Sequence, residues 1–245
     1  MAKHGSNDVA FLLVDGYSIL GSVTELTDSV EAITEESHAL GDAWVEQSFV
    51  GLKQATLEQN GFYDDETNGV HEALVGSVGV SRVVCYGVEG NTLSKRVACW
   101  RGAMQASYQR IASRGALHRA NARYQVAGIV EEGVILHALA ARTADGNSQS
   151  TPDDNAAEST GGASLYLQVS ALDLDGLDNA VVAVYSSPNG SDWTLLDTFT
   201  AITAIGAERR TKTGTIPRYL AVSWEFSGLT TETPSMTFMV AAVRL

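Results

Sequence analysis

Cysteine is almost missing. Cys85 and Cys99 are the only two in 245 residues, which excludes a disulfide scaffold and leaves too few thiols for a cysteine-built metal site. Both lie in strand-like runs, VVCYGV and RVACW, where a small buried thiol fits. Long apolar runs are missing too. No stretch approaches the roughly 18 residues that a membrane-spanning helix needs, and no charged-then-apolar leader precedes Val9. The expectation is a soluble chain without a membrane partner, made in a reducing compartment. Catalytic signatures are the third absence. His4, His38, His71, His118 and His137 show no HExxH spacing, Gly16-Tyr17-Ser18-Ile19-Leu20-Gly21 has the wrong spacing for a nucleophile elbow, and no phosphate-binding loop or GxGxxG follows a strand. The sequence therefore predicts no enzyme activity, no cofactor and no metal.

Positive charge is scarce, with 16 Lys and Arg against 29 Asp and Glu and a net charge of −13. Its distribution says more than its total. Residues 1–81 hold 14 acidic and 2 basic side chains, residues 82–142 hold 3 and 9, and residues 143–245 hold 12 and 5. Such blocks bear on association rather than on fold: in a homo-oligomer the acidic block of one copy can meet the basic block of the next. Arg110, Arg114, Arg119 and Arg123 form the one cationic cluster. No aromatic residues interleave with it as single-strand binders require, so it is expected to answer Asp- and Glu-rich segments of a neighbouring copy. Asp173-Leu174-Asp175-Gly176-Leu177-Asp178 has oxygen ligands at alternating positions but lacks the later bidentate Glu of a calcium loop, and reads as a solvated connection.

What the chain does have is alternation. In Leu52–Phe62, Ala55, Leu57 and Gln59 fall on one face while Gln54, Thr56, Glu58 and Asn60 fall on the other, the period of a strand with one wet side. Leu117–Val130 repeats the pattern, with His118, Ala120, Ala122, Tyr124 and Val126 opposed to Arg119, Asn121, Arg123 and Gln125, and implies an edge or wet strand. Val9–Val14, Tyr17–Leu26, Trp44–Phe49, Val80–Gly87, Lys95–Arg101, Met104–Ile111 and Val134–Ala141 complete the first set of predicted strands, with Asp15-Gly16 as a turn. One short helix is expected from the acidic cap at Asp64–Thr67 to about Val75, with Val70 and Leu74 on its apolar side and Gly76 ending it. Asp28–Ala39 is ambiguous by local rules, because Asp28 with Glu31 makes a capping box while Val30 and Ala32 also suit a sheet face.

Residues 143–163 lack large apolar side chains and read as a flexible linker. After them Ser164–Ala171, Ala180–Ser186, Trp193–Thr200, Tyr219–Phe226 and Met236–Val243 predict a second, smaller β-sandwich over residues 164–245. Ser187-Pro188-Asn189-Gly190-Ser191 is a hairpin turn within it. Trp193, Trp224, Tyr185 and Tyr219 permit a sugar-binding module as an alternative, but Trp224 alternates in phase with Leu220, Val222 and Phe226, as a core residue does.

The order Asp15-Gly16-Tyr17, Leu40-Gly41-Asp42-Ala43-Trp44, Gly51-Leu52, Gly61-Phe62-Tyr63, continuing through Gly69-Val70-His71-Glu72-Ala73-Leu74 and Arg96-Val97-Ala98-Cys99-Trp100-Arg101-Gly102 to about Glu132, resembles the major tail tube proteins of long-tailed bacteriophages. The resemblance covers the first half of the chain and rests on order and spacing. It favours a strand running into an acidic loop over Asp28–Ala39. It implies an all-β fold, with a tail-tube-type sandwich or barrel over residues 1–142 followed by the second sandwich on the tube exterior. It further implies a structural virion protein of the tail, made in the host cytoplasm, that assembles with itself into stacked, hexameric rings through which DNA passes without specific binding. Tape-measure, tail-terminator and distal-tail proteins are the partners it implies. The acidic hairpin, with Asp28, Glu31, Glu35, Glu36 and Asp42, and the four arginines are the expected inter-subunit contacts. A carbohydrate- or receptor-binding module, and a capsid decoration or head-tail joining protein, are the alternatives.

Overall fold

A computed structural model describes residues 5–36, 47–126, 129–228 and 233–245. The fold is all-β with one short helix. In chain order the strands of the first half are β1 (Leu12–Val14), β2 (Tyr17–Ser18), β3 (Val23–Glu36), β4 (Gln47–Phe62), β5 (Ser81–Gly87), β6 (Arg96–Ile111), β7 (Arg119–Val126) and β8 (Val130–Arg142). Those of the second half are β9 (Gly146–Asn147), β10 (Asp153–Asp154), β11 (Ala163–Asp173), β12 (Ala180–Ser187), β13 (Thr194–Thr198), β14 (Gly206–Lys212), β15 (Tyr219–Phe226) and β16 (Ser235–Arg244). Helix α1 (Val70–Leu74) lies between β4 and β5.

Local chemistry explains most of these elements. Asp15 and Gly16 both have positive φ, 47° and 89°, the backbone of a two-residue hairpin turn whose twist matches its strands. The ambiguous segment after Asp28 is strand: β3 pairs with β4 from Val23↔Gly61 to Glu36↔Gln47, so cross-strand hydrogen bonds override the local capping box. Asp64 caps only its own turn, its Oδ1 accepting from Glu66 N at 3.0 Å. Asn68 then takes φ +62°, which delays the helix to Val70. Lys95–Arg101 and Met104–Ile111 form one strand, not two, because Gly102 at φ +66° absorbs a bend without a turn. Trp44–Phe49 and Leu52–Phe62 likewise share one strand from Gln47 onward, with Gly51 at φ +86°; Trp44 to Glu46 lie outside the described residues.

The strands build layers. One sheet runs β14-β11-β16-β8-β6-β5-β1-β2, with β7, β4 and β3 branching in that order from β6, and a second runs β10-β15-β12-β13 with β9 on β15. Leu165, Leu167, Val169, Phe238 and Val240 of the first sheet pack on Val182, Val184, Leu220, Val222 and Phe226 of the second. The opposite face of the same strands, Tyr166, Met239, Ala241 and Val243, packs on Leu13, Cys85, Val97 and Cys99. Beyond them Leu12, Val84 and Trp100 meet Leu57, Ala120, Tyr124 and the Val70 and Leu74 side of α1. β11 and β16 are thus covered on both faces.

That layering corrects the linker expected at 143–163 and the separate sandwich expected after it. β16 pairs with β8 and β11 with β16, so one hydrogen-bonded sheet crosses the division read from composition. The expected linker is held by its own polar side chains. Asp145 Oδ1 accepts from Phe226 N at 2.7 Å, Asp153 Oδ1 from Ser94 Oγ at 2.6 Å, and Ser148 Oγ from Val222 N at 2.9 Å, while Ala144 O accepts from Trp224 Nε1. β9 and β10 add two short pairings to β15. β14 has no counterpart among the predicted strands. Its charges are met instead by Arg209 on Glu131 at 2.8 Å, Arg210 on Glu208 at 2.8 Å and Lys212 on Asp197 at 3.6 Å.

Candidate assembly surfaces

β4 divides its side chains as the alternation predicts. Leu57 and Gln59 are buried, whereas Gln54 and Glu58 are exposed. Registers extend that outward face across four strands: Glu25, Thr27, Ser29 and Glu31 on β3; Gln54, Thr56, Glu58 and Asn60 on β4; Arg119, Asn121, Arg123 and Gln125 on β7; Ser107 and Gln109 on β6. Amides and hydroxyls dominate. Ser29 and Thr56 hydroxyls bond at 2.8 Å, Asn60 Nδ2 donates to Glu25 at 3.0 Å, and Gln54 Nε2 donates to Glu31 at 3.3 Å. The face is less acidic than the block charge of residues 1–81 implies, since Arg119 and Arg123 stand among its carboxylates and Arg123 pairs with Glu58 at 3.2 Å. β7 is wet, as expected, but interior, with β4 on one side and β6 on the other.

Among the described residues two edges of this four-stranded unit are open. β3 pairs there with β4 alone. β6 beyond Gln105 pairs with β7 alone, because its pairing with β5 stops at Met104 and with β8 at Trp100. An unpaired edge presents backbone N–H and C=O groups to another chain.

The nominated contact residues separate. Asp28 faces inward opposite Leu57, and its carboxylate accepts a short hydrogen bond from Tyr86 Oη; burial and that bond push the Tyr86 phenol up. Glu31 lies on the outward face and Glu35 is exposed near the far end of β3. Glu36 pairs across from Gln47, and Asp42 lies outside the described residues. The arginines divide between two faces. Arg110 sits opposite buried Ala120 and therefore on the inward side, whereas Arg119 and Arg123 point outward; Arg114 is in the exposed turn between β6 and β7. A register shift between Gln105 and Ser107 sets that parity, and nothing in the sequence announces it. Arg119 also stands over the Phe62 ring at 5.8 Å.

Exposed apolar side chains at the two ends of this unit escaped the sequence reading. Val30, Leu52 and Ile129 are exposed at the arm end and Ile111 and Leu117 at the other. A valine on a wet strand and one in a core look alike in sequence.

Other candidates are structural. Trp224 is buried and T-shaped against Phe238 at 5.8 Å, as its phase predicts. In the 173–178 loop, Asp173 Oδ1 accepts from Asp175 N and Asp175 Oδ2 from Thr233 N, so those oxygens close the loop. Cys85 and Cys99 face each other in register as buried free thiols, Sγ to Sγ 3.3 Å, and burial pushes the Cys99 thiol well up.

No family model and no curated protein matches the chain. Among solved structures, a chain in the virion of a native gene transfer agent particle is 13% identical and covers 53% of this chain and 98% of its own, with a TM-score of 0.41. A chain from the tail of an empty gene transfer agent particle refined with C6 symmetry is also 13% identical, covering 52% and 97%, at 0.39. The Dit protein of SPP1, a phage infecting Gram-positive bacteria, is 10% identical and covers 96% and 98%, at 0.32. Likeness at this level transfers no activity.

Proposed function

We propose that this chain is a structural virion protein of a bacteriophage tail, without enzymatic activity, that assembles with itself into stacked rings forming the tail tube. One observation carries the reading: a four-stranded unit has an outer face dominated by amides, hydroxyls and charged groups, with Phe62 and Ile111 at one end, and among the described residues an open strand edge on each side. Two unlike edges on one molecule make a head-to-tail contact, which closes into a ring when the rotation per copy closes. β3 carries Glu25, Asp28, Glu31, Glu35 and Glu36 and no basic residue, whereas the open stretch of β6 carries Arg110 and no acidic one, so the two edges also differ in charge in the sense that favours pairing. The outer face would then line the bore. Amides, hydroxyls and a paired Glu58–Arg123 give a polyanion such as DNA little to bind. Six subunits per ring, and contact with tape-measure, tail-terminator and distal-tail proteins, follow the sequence resemblance.

Electron microscopy and sedimentation of the purified protein test the reading together. Rings or tubes with a central bore are the expected result; monomer at every concentration and salt overturns it. A sugar-binding module is disfavoured by the burial of Trp224.

A further inference from the structure

The longest strand pair outruns its neighbour. β4 pairs with β7 only from Thr56 onward, so among the described residues the nine from Gln47 to Ala55, about 30 Å of extended chain, have β3 as their only strand partner. The arm therefore leaves a step where β7 ends. Val30, Lys53, Gln54, Ala55, Ile129 and Val130 line a hollow of about 210 Å³ there. Val30 and Ile129 are 60% and 65% exposed, an unusual state for apolar side chains gathered at one place. Glu31 and Glu35 stand on the arm beside it, with Lys53 the only basic residue of β3 and β4.

The opposite end of the same strands is the chemical complement. The turn joining β6 to β7 presents Leu117 at 71% exposure, with Ile111 exposed at the end of β6; Arg110, Arg114 and Arg119 lie in the same stretch, and no carboxylate occurs in sequence between Glu89 and Glu131. Arg119 pairs opposite Phe62 and Gln125 opposite Thr56, which fixes the basic turn and the acidic arm at opposite ends of the sheet. Both ends carry exposed apolar side chains; the arm beside its hollow is acidic but for Lys53, and the turn itself is wholly basic, with the acidic residues 64–66 following the neighbouring β4. Such a pair of ends suits a contact that repeats without closing, and so grows along the strand direction.

Resting on the ring reading above, we infer that the occupant of the step is a second copy of this chain. The β6–β7 turn of a subunit in one ring seats Leu117 against Val30 and Ile129 of a subunit in the next, with Arg110 and Arg114 facing Glu31 and Glu35. Stacking thus uses the ends of the sheet, while ring closure uses its edges. The two contacts share Arg110 and Glu31, whose charges serve both, while Arg114 in the turn and Glu35 at the far end of the arm serve stacking alone.

The test uses full-length charge variants made as separate proteins and brought to the ring stage before mixing. Arg114→Glu and Glu35→Lys, which leave Arg110, Glu25 and Glu31 on the ring edges unchanged, are each expected to give rings that no longer stack, read by electron microscopy and sedimentation velocity. Mixed at equal amounts they are expected to stack again, because each variant repels itself and attracts the other. Recovery on mixing also shows that both variants are folded. Leu117→Ser tests the apolar part without changing charge, and is expected to shorten stacks while sparing rings. Normal stacking by either charge variant alone overturns this contact, as does loss of the rings together with the stacks, or mixtures that fail to stack. A wild-type protein that never forms rings overturns the ring reading instead.

Discussion

β4 and β11 carry the same two-residue alternation and use it in opposite ways. On β4 the polar set, Gln54, Thr56, Glu58 and Asn60, faces solvent. On β11 the polar set, Ser164, Tyr166 and Gln168, is as buried as the apolar set of Leu165, Leu167 and Val169. The difference lies in partners. Gln168 Oε1 accepts from Gly16 N at 2.7 Å and its Nε2 donates to Val83 O at 3.0 Å; Tyr166 Oη donates to Glu131 at 2.5 Å, and Arg209 donates to both Tyr166 and Glu131. Gly16 also lacks a Cβ where one would collide with Val169 and Gly206 backbone. A buried polar face survives only with its hydrogen bonds made, so alternation reveals that a strand has two faces and leaves their surroundings to tertiary contacts.

The largest expected effect separates the halves that this seam joins. Truncation after Arg142 strips β16 from β8 and uncovers Leu13, Cys85, Val97 and Ile135. Composition predicts that residues 164–245 are dispensable for ring formation; the shared sheet predicts aggregation or loss of the cooperative unfolding transition. A soluble, cooperatively folded fragment in circular dichroism and sedimentation would show the seam to be an ordinary domain contact.

A single side chain gives the next effect. Gln168→Ala leaves Gly16 N without a partner in a dry layer and Val83 O with Asp15 N alone, and is expected to cost roughly 2 kcal/mol in chemical denaturation. Gln54→Ala, the same change on the wet face, is expected to stay within about 0.5 kcal/mol. Equal costs at the two sites would erase the distinction between β4 and β11.

Much of this was legible in the chain. The all-β class, the short helix, the wet faces of β4 and β7 and the burial of Trp224 all follow from alternation and turn residues. Residues 143–163 misled because a solvated loop and a segment clamped by its own Asp and Ser side chains have the same composition, and because β9 and β10 are too short for a period to show. The arginine cluster was legible as a cluster, but not the faces its members occupy. Four residues close in sequence were divided between two faces by one irregularity after Gln105, and the exposure of Val30, Ile129 and Leu117 depends on which strands end first.

The last expected effect lies in the dry region and appears only on acidification. His137 is buried between layers, stacked on Phe238 at 4.1 Å, with Arg142 Nε 3.0 Å from its Nε2. Burial first, and the Arg142 cation second, lower its pKa from 6.5 to about 4. A proton therefore binds the unfolded chain more readily than the folded one between those values, and stability rises with pH there. Above pH 6.5 the imidazole is neutral in both states and nothing is lost. As the pH falls to 5 the protein should lose about 2 kcal/mol from this group, and below pH 4 the loss should level off near about 3 kcal/mol. Replacing the group by one that does not titrate, His137→Gln, should flatten that part of the pH profile in urea unfolding, whatever its effect at neutral pH. If the variant and the parent lose stability in parallel between pH 6.5 and 5, His137 is not shielded from water, and the layer between the two sheets is wetter than its packing implies.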